Sequence, residues 1–284
     1  MAERRIGAPV VAGIGLVGAD LLLACVLALL AMLALVILIG PVVVVLLTSF
    51  STSTALRFPP PGLTLHWYAE LLNPVSSAFI HAAALHSLIV AAASSCLAAA
   101  LATSAALALA RAGGRAARIA DSLFMAPLLL PGIAFGLAAL MFVAWLGLPN
   151  SLLLIALGHT VVIAPFVLRT AGASVAHLDP ALFEASDSLG ASRWFAFRRV
   201  VFPLIRPGVL AGTFLAFIAS LDNVPVSLFL GSARTDMLPI RMWGMMESTL
   251  DVRVAAVSGL LVLFAIVVLL VMERAIGFAR QLAQ

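Results

Sequence analysis

The chain has 284 residues, 64% of them hydrophobic and 10% charged, with a formal net charge of +4; a water-facing surface cannot be assembled from that composition, which excludes a soluble domain. All sixteen basic residues are Arg and none is Lys. The chain therefore builds neither a phosphate-cradling P-loop nor a Schiff-base enzyme, and any ATP hydrolysis has to come from a partner.

Charge is confined to short patches, and between them lie apolar stretches long enough to cross a hydrocarbon core of about 30 Å as helices. Met1 to Arg5 is short and charged. The run Leu21 to Leu47 that follows is too long for the apolar core of a signal peptide and lacks a clear cleavage site, so it reads as a retained first span. Five more follow, near 87–110, 123–148, 152–169, 208–230 and 254–272. The expected fold is all-α, a polytopic membrane protein with six transmembrane helices in a single domain over 1–284.

Cys25 and Cys96 lie far apart inside apolar runs, which suits neither a disulfide framework nor a metal site. His66, His81 and His86 fall in or beside the segment 48–86 without metal-ligand spacing. In span three, Pro127 and Pro131-Gly132 read as a kink, and in span four His159, beside Thr160, reads as a helix–helix hydrogen-bonding residue. Span five is the least regular, because Asp222, Asn223 and Pro225 interrupt it and the freed backbone needs protein or water around it. No Ser/His/Asp or Cys/His constellation can be assembled. Catalysis by this chain is not expected, and neither is a metal site or a bound cofactor.

Twelve of the Arg residues lie at the termini, between spans two and three, or between spans four and five; Arg57, Arg234, Arg241 and Arg253 lie on the other side. Positive residues stay cytoplasmic, so both termini are expected inside, and 48–86 and 231–253 outside. In the first external segment Pro59-Pro60-Pro61-Gly62 signals a turn, and Trp67 and Tyr68 suit a chain lying along a membrane surface. With the Arg residues flanking spans in this way, nucleic acid is not an expected partner, whereas the lipid bilayer is.

Between spans four and five the stretch 177–207 is polar in an otherwise apolar chain and reads as two short helices. Asp179 can cap the first with Pro180 at its first helical position, Gly190 can end it in a left-handed conformation, and Ser192 can cap the second. Pro203 and Pro207 are expected to close the second before span five begins. Glu184 and Asp187 share one side of the first helix, and Leu182, Ala185, Ser186 and Leu189 another. Such a helix could dock in a groove of another protein.

Glu184, Ala185, Gly190, Val200 and Pro203 stand at the spacings of the EAA loop, so the chain resembles the permeases of ABC importers. It departs from their pattern at Ser186 in place of the second Ala, Val200 in place of Ile and Phe202 in place of Leu, changes that keep size or polarity close. The tracts Leu63 to Tyr68 and Ser220 to Gly231 also resemble the spermidine/putrescine branch, so the likeness covers nearly the whole chain. The resemblance implies an EAA loop over 177–207 that sits in a cleft of ATPase subunits and moves with them. Glu184 would be its polar contact and Gly190 the turn between its helices. The implied assembly contains a homologous second permease as heterodimer partner, two ATPase subunits that carry ATP and Mg, and an external solute-binding protein, all at a bacterial inner membrane.

The same resemblance and an acid in the presumed path favour a polyamine or related small cation as solute, with Asp222 and Asn223 lining the way. An acid inside a span is costly and is usually there for function. The competing reading puts Asp222 at a helix end as a cap. Relatives of this kind move thiamine, ferric ion, phosphonates or opines, so another solute remains an alternative. A rival of a different class is a secondary transporter driven by an ion gradient, which calls for internal repeats and paired broken helices; the sequence shows one break and no repeat.

Overall fold

The computed structural model describes residues 12–179 and 181–281. Twelve α-helices are numbered here in chain order: α1 Ala12–Thr48, α2 His66–Leu72, α3 Ala78–Ala112, α4 Gly114–Leu129, α5 Gly132–Trp145, α6 Leu152–Ala176, α7 Ala181–Ser188, α8 Arg193–Ala196, α9 Phe202–Leu221, α10 Val224–Leu230, α11 Leu238–Thr249 and α12 Arg253–Gln281. A single π turn, Phe197–Val201, joins α8 to α9. Extended pairing among the described residues is limited to the isolated bridges Ser51 to Leu63 and Ala55 to Asp251. The all-α expectation holds: five helices are long and apolar enough to cross a membrane, and the bent pair α4 and α5 makes a sixth span if counted as one.

α3, α6 and α9 pack on one another and form the core. Small residues make this possible. Ala98, Ala102 and Ala106 of α3 meet Ile163, Val167 and Ala171 of α6 and Ala216 of α9, all buried. On α9, Gly208 faces Ser174 and the Thr170 carbonyl, and Gly212 faces the Thr170 hydroxyl and Val167 Cα. A side chain at either glycine would force the helices apart. Without a hydrophobic drive between helices in lipid, such close approach supplies the packing energy. α1 contrasts with this core: the central part of Leu23–Thr48 is unburied along its whole length. Cys25 and Cys96 both point outward as free thiols.

Three expectations need correction. Span two starts at Ala78, so His81 and His86 are helical rather than part of an external loop; the His81 ring nitrogen bonds the Leu71 carbonyl at 2.6 Å and the His86 ring nitrogen the Asp236 carbonyl at 3.0 Å. Trp67 and Tyr68 are half-buried. The indole N–H of Trp67 donates to the Ser51 carbonyl at 2.7 Å, and the Tyr68 hydroxyl pairs with that of Ser49 at 2.7 Å, which tucks both rings against α12 and the start of α3.

Span three is broken, not kinked: α4 and α5 meet at 104°. Leu130 precedes a proline and is pushed into the extended region (φ −81°, ψ 136°), where a helix cannot continue. The third correction concerns Pro203 and Pro207, which do not close the second loop helix. α8, the π turn and α9 run on as one helix from Arg193 to Leu221. Pro203 sits in the first turn of α9, where its missing N–H is tolerated, and the wider π turn directly ahead of it absorbs the change of hydrogen-bonding partner.

The chain direction of the spans sets two ends. Residues 177–201 occupy one, the loop end; residues 48–72 and 232–253 occupy the opposite end.

Candidate functional site

At the loop end, α7 is built from local signals. Asp179 Oδ1 accepts from the Ala181 N–H at 2.9 Å, and its carbonyl accepts from the Leu182 N–H. Pro180, expected at the first helical position, lies outside the described residues. Gly190 takes φ +71°, as its role at a helix end requires, and the bonds from Ala191 N–H to the Ser186 carbonyl and from Gly190 N–H to the Asp187 carbonyl close a Schellman turn. Ser192 then caps α8 by accepting from the Phe195 N–H at 3.3 Å.

The elbow that results encloses an open cavity of about 450 Å³, which Ser186, Gly190 and Val200 line together with Leu189, Ser192 and Phe195. Glu184 and Ala185 are exposed and do not line it, and Pro203 is exposed at the start of α9. Ser186 is buried and returns its hydroxyl to the Leu182 carbonyl at 2.7 Å. Apolar side chains are nevertheless left bare here: Leu189 is 86% exposed and Trp194 68%. Water does not favour such a surface, and a contiguous one marks a contact site.

The second candidate region is the break in span five. α9 ends at Leu221 with Asp222 as its C-cap, and Asn223 caps α10 by accepting from the Val226 N–H at 3.1 Å. Asp222 is exposed, and no described side chain bonds its carboxylate. It opens on a cavity of about 560 Å³ whose walls are mostly apolar, among them Met242, Trp243 and Met246 of α11, and Leu261 and Phe264 of α12. Asp222 is the acid on that wall. The carboxamide oxygen of Asn223 is engaged in capping, and Asn223 is not among the residues that line this cavity. Asp222 thus ends a helix and also faces a cavity.

The break lies deep in the bundle. Ser220, two residues before Asp222, bonds Ser94, and Ser94 is level with the middle of α3, which runs from Ala78 to Ala112. At the same break His159 makes the helix–helix hydrogen bonds expected of it, with partners the sequence reading did not name. His159 Nδ1 lies 2.8 Å from Ser220 Oγ, and its Nε2 lies 3.1 Å from Ser227 Oγ. The signal available in the sequence was weak: one histidine inside span four, and a serine on either side of the Asp222-Asn223 break.

At the opposite end, Arg253 binds Asp251 at 2.6 and 2.8 Å and Glu70 at 3.2 Å. Burial works to raise the pKa of Asp251, but the hydrogen bonds and charge of Arg253 outweigh it and hold the carboxyl below its ordinary value.

Residues 98–276 match the family described as "Binding-protein-dependent transport system inner membrane component". The chain belongs to that family. It is a permease subunit of an ABC importer, a membrane-spanning transport component and not an enzyme.

The permease is 28% identical over 232 residues to the spermidine/putrescine transport system permease protein PotC of Escherichia coli (strain K12), covering 81% of this chain and 86% of the relative. It is 29% identical over 229 residues to the putrescine transport system permease protein PotI of the same organism, covering 78% and 80%. Among solved structures, a bacterial ABC transporter involved in the import of the acidic polysaccharide alginate matches with a TM-score of 0.66 at 16% identity, over 94% of this chain and 98% of that one. That likeness concerns the fold alone. The second broken helix meets one criterion set for a secondary transporter, but the family match decides against that class.

Proposed function

We propose that this permease forms the translocation path for a small organic cation of the polyamine class and is driven by ATPase subunits that grip the 177–207 loop. The observation that carries the reading is the unbroken helix from Arg193 to Leu221. At about 1.5 Å per residue it is a rod of roughly 43 Å. One end is the exposed elbow with Glu184, Gly190 and Trp194, and the other presents Asp222 to the cavity. A displacement of the elbow is therefore delivered at the acid without an intervening hinge. Coupling of this kind requires a packed element with two positions and a partner that binds one of them better.

The cavity supports the solute class. Its walls are mostly apolar, and one carboxylate, Asp222, and the ring of Trp243 are among its lining groups. An ammonium group is attracted both by the carboxylate and by an aromatic face, and one acid keeps the attraction weak enough for release. The names of the two enterobacterial relatives agree with this choice. In this reading the complete importer holds a homologous second permease, two ATPase subunits carrying ATP and Mg, and an external solute-binding protein; this chain itself binds no cofactor. Both termini and the 177–207 loop are cytoplasmic. A periplasm-active reporter fused after Val200 should be silent, and one fused after Pro61 active.

The test of the solute reading is uptake into vesicles with saturating binding protein. Asp222→Asn keeps the shape and removes the charge, and should lower polyamine uptake about tenfold, the effect of losing a modest charge interaction. Asp222→Glu should be milder. Full uptake by Asp222→Asn overturns the role of the acid, and loss of assembly assigns it to packing. Identification of an anion or a neutral sugar as the ligand of the cognate binding protein overturns the solute class.

A further inference from the structure

His159 has no part in the proposed transport cycle, yet it is the most completely buried ionisable side chain described, with no exposed surface. Both ring nitrogens have partners. Those partners lie on opposite sides of one helix break, Ser220 at the end of α9 and Ser227 within α10. Across that break the main chain contributes only the bonds from Asn223 N–H to the Ser220 carbonyl at 3.3 Å and from Val224 N–H to the Asp222 carbonyl at 2.9 Å.

The hydrogen bonds run in one direction. Ser94 donates to the Ala91 carbonyl, which can only accept. Ser220 then donates to Ser94 at 2.9 Å, so Ser220 accepts from His159 Nδ1–H, and Nε2 accepts from Ser227. Every donor in the chain is used, and a neutral imidazole with its proton on Nδ1 completes it. Ser94, Ser220 and Ser227 are all buried, so removal of the ring takes the acceptor from the Ser227 hydroxyl and the donor from Ser220, which keeps only its bond to Ser94, where water cannot replace it.

Packing reinforces the bond. Gly158, the neighbour of His159, lets α10 approach so closely that an added Cβ would stand 2.8 Å from Val226 Cγ1 and 3.0 Å from Leu230 Cδ1. α9 rests on the same helix, α6, through Gly208 and Gly212. α6 is thus the common frame for both halves of span five, and His159 is the polar point at which the halves are registered.

We propose that His159 is a positioning residue of the translocation path: by tying Ser220 to Ser227 it sets the turn on which Asp222 is presented to the cavity. The proposal rests on the reading of Asp222 as part of that path, but it has a readout of its own. In the complete importer, with Cys25→Ser and Cys96→Ser to remove the outward-facing thiols, Asp222→Cys is labelled with a positively charged, water-soluble thiol reagent. His159→Phe fills the volume without hydrogen bonds and should change the labelling rate about tenfold, the effect of leaving a buried network unpaired. In the chain that retains Asp222, it should lower uptake per ATP hydrolysed by a similar factor.

His159→Asn keeps a polar group near Ser220 and His159→Gln one near Ser227; each should recover part of both effects, which a role in filling space alone does not predict. Should His159→Phe fail to assemble, Ser227→Ala, which removes one hydroxyl, decides: a shifted labelling rate supports the tether, and unchanged labelling and uptake overturn it. If Asp222→Asn transports fully while the labelling still responds, the path reading fails and the tether stands. If Asp222→Asn is impaired and the labelling does not respond, the tether fails alone.

Discussion

The two ends of the bundle are held together in opposite ways. At the loop end, α7 and α8 are shaped by bonds between residues no more than five apart in the chain, from Asp179 to Ala181, from Ala191 to Ser186 and from Phe195 to Ser192. The opposite end is fastened by long-range contacts: Arg253 to Glu70, Ser87 to the Leu238 N–H, His86 to the Asp236 carbonyl and Trp67 to Ser51. A unit stabilised from within can move as a body while keeping its shape, and one stitched to its neighbours is anchored. The difference agrees with the coupling proposed for the loop end.

The strongest test of that contrast is at Gly190. A residue with a side chain at φ +71° carries about 1 kcal/mol of strain, so Gly190→Asp should tilt α8 against α7. Membrane insertion should survive because the bundle core is untouched, whereas ATP-driven uptake should fall below about a tenth of normal, the response to losing a positioned coupling contact. Glu184→Lys should act in the same direction through lost ATPase contact. Normal uptake by both variants would remove the loop from the coupling path.

An intermediate effect is expected where the rod rests on α6. Gly212→Leu would drive a side chain into Thr170 and Val167. Overpacking of this kind costs about 1–3 kcal/mol. The variant should reach the membrane in reduced amount and lose thermal stability in detergent, with uptake falling in proportion to the folded protein. Gly244, which has open space around it, is the control: Gly244→Ala should leave both quantities unchanged.

The smallest effect belongs to the anchored end. Asp251 has a lowered pKa in the folded protein, so its bond to Arg253 contributes stability that is present above the ordinary value of 3.8 and is lost as pH falls through the lower, folded value. Acid below about pH 4 should therefore loosen the 48–72 segment, as followed by proteolysis at Arg57. Arg253→Gln should cost about 1 kcal/mol at neutral pH and flatten that acid response, since the pair is partly exposed. An unchanged acid profile in Arg253→Gln would show that another group holds this end together.

The loop was largely legible because its signals are local. Asp179, Gly190 and Ser192 act on residues a few positions away, and capping chemistry can be read from such short intervals. The continuation of α8 into α9 was not, because Pro203 and Pro207 stop a helix in isolation and only the π turn ahead of Pro203 carries it through. Similarly, Pro127 and Pro131 announced a disturbance in span three without its size, since the 104° bend depends on where α5 finds its partner, α10.

Composition and the length of the apolar runs were enough to determine a polytopic helical membrane protein, because lipid leaves a chain this apolar no spanning fold but helices or a closed barrel, and its runs have helix length; the permease came from the family resemblance. Only the tertiary structure decided which polar groups meet inside. Ser94, His159, Ser220 and Ser227 come from four helices, and the ring of His159 finds partners 61 and 68 residues away. Such a meeting is fixed by how closely helices can approach, here at Gly158, Gly208 and Gly212, and no interval along the chain encodes that distance.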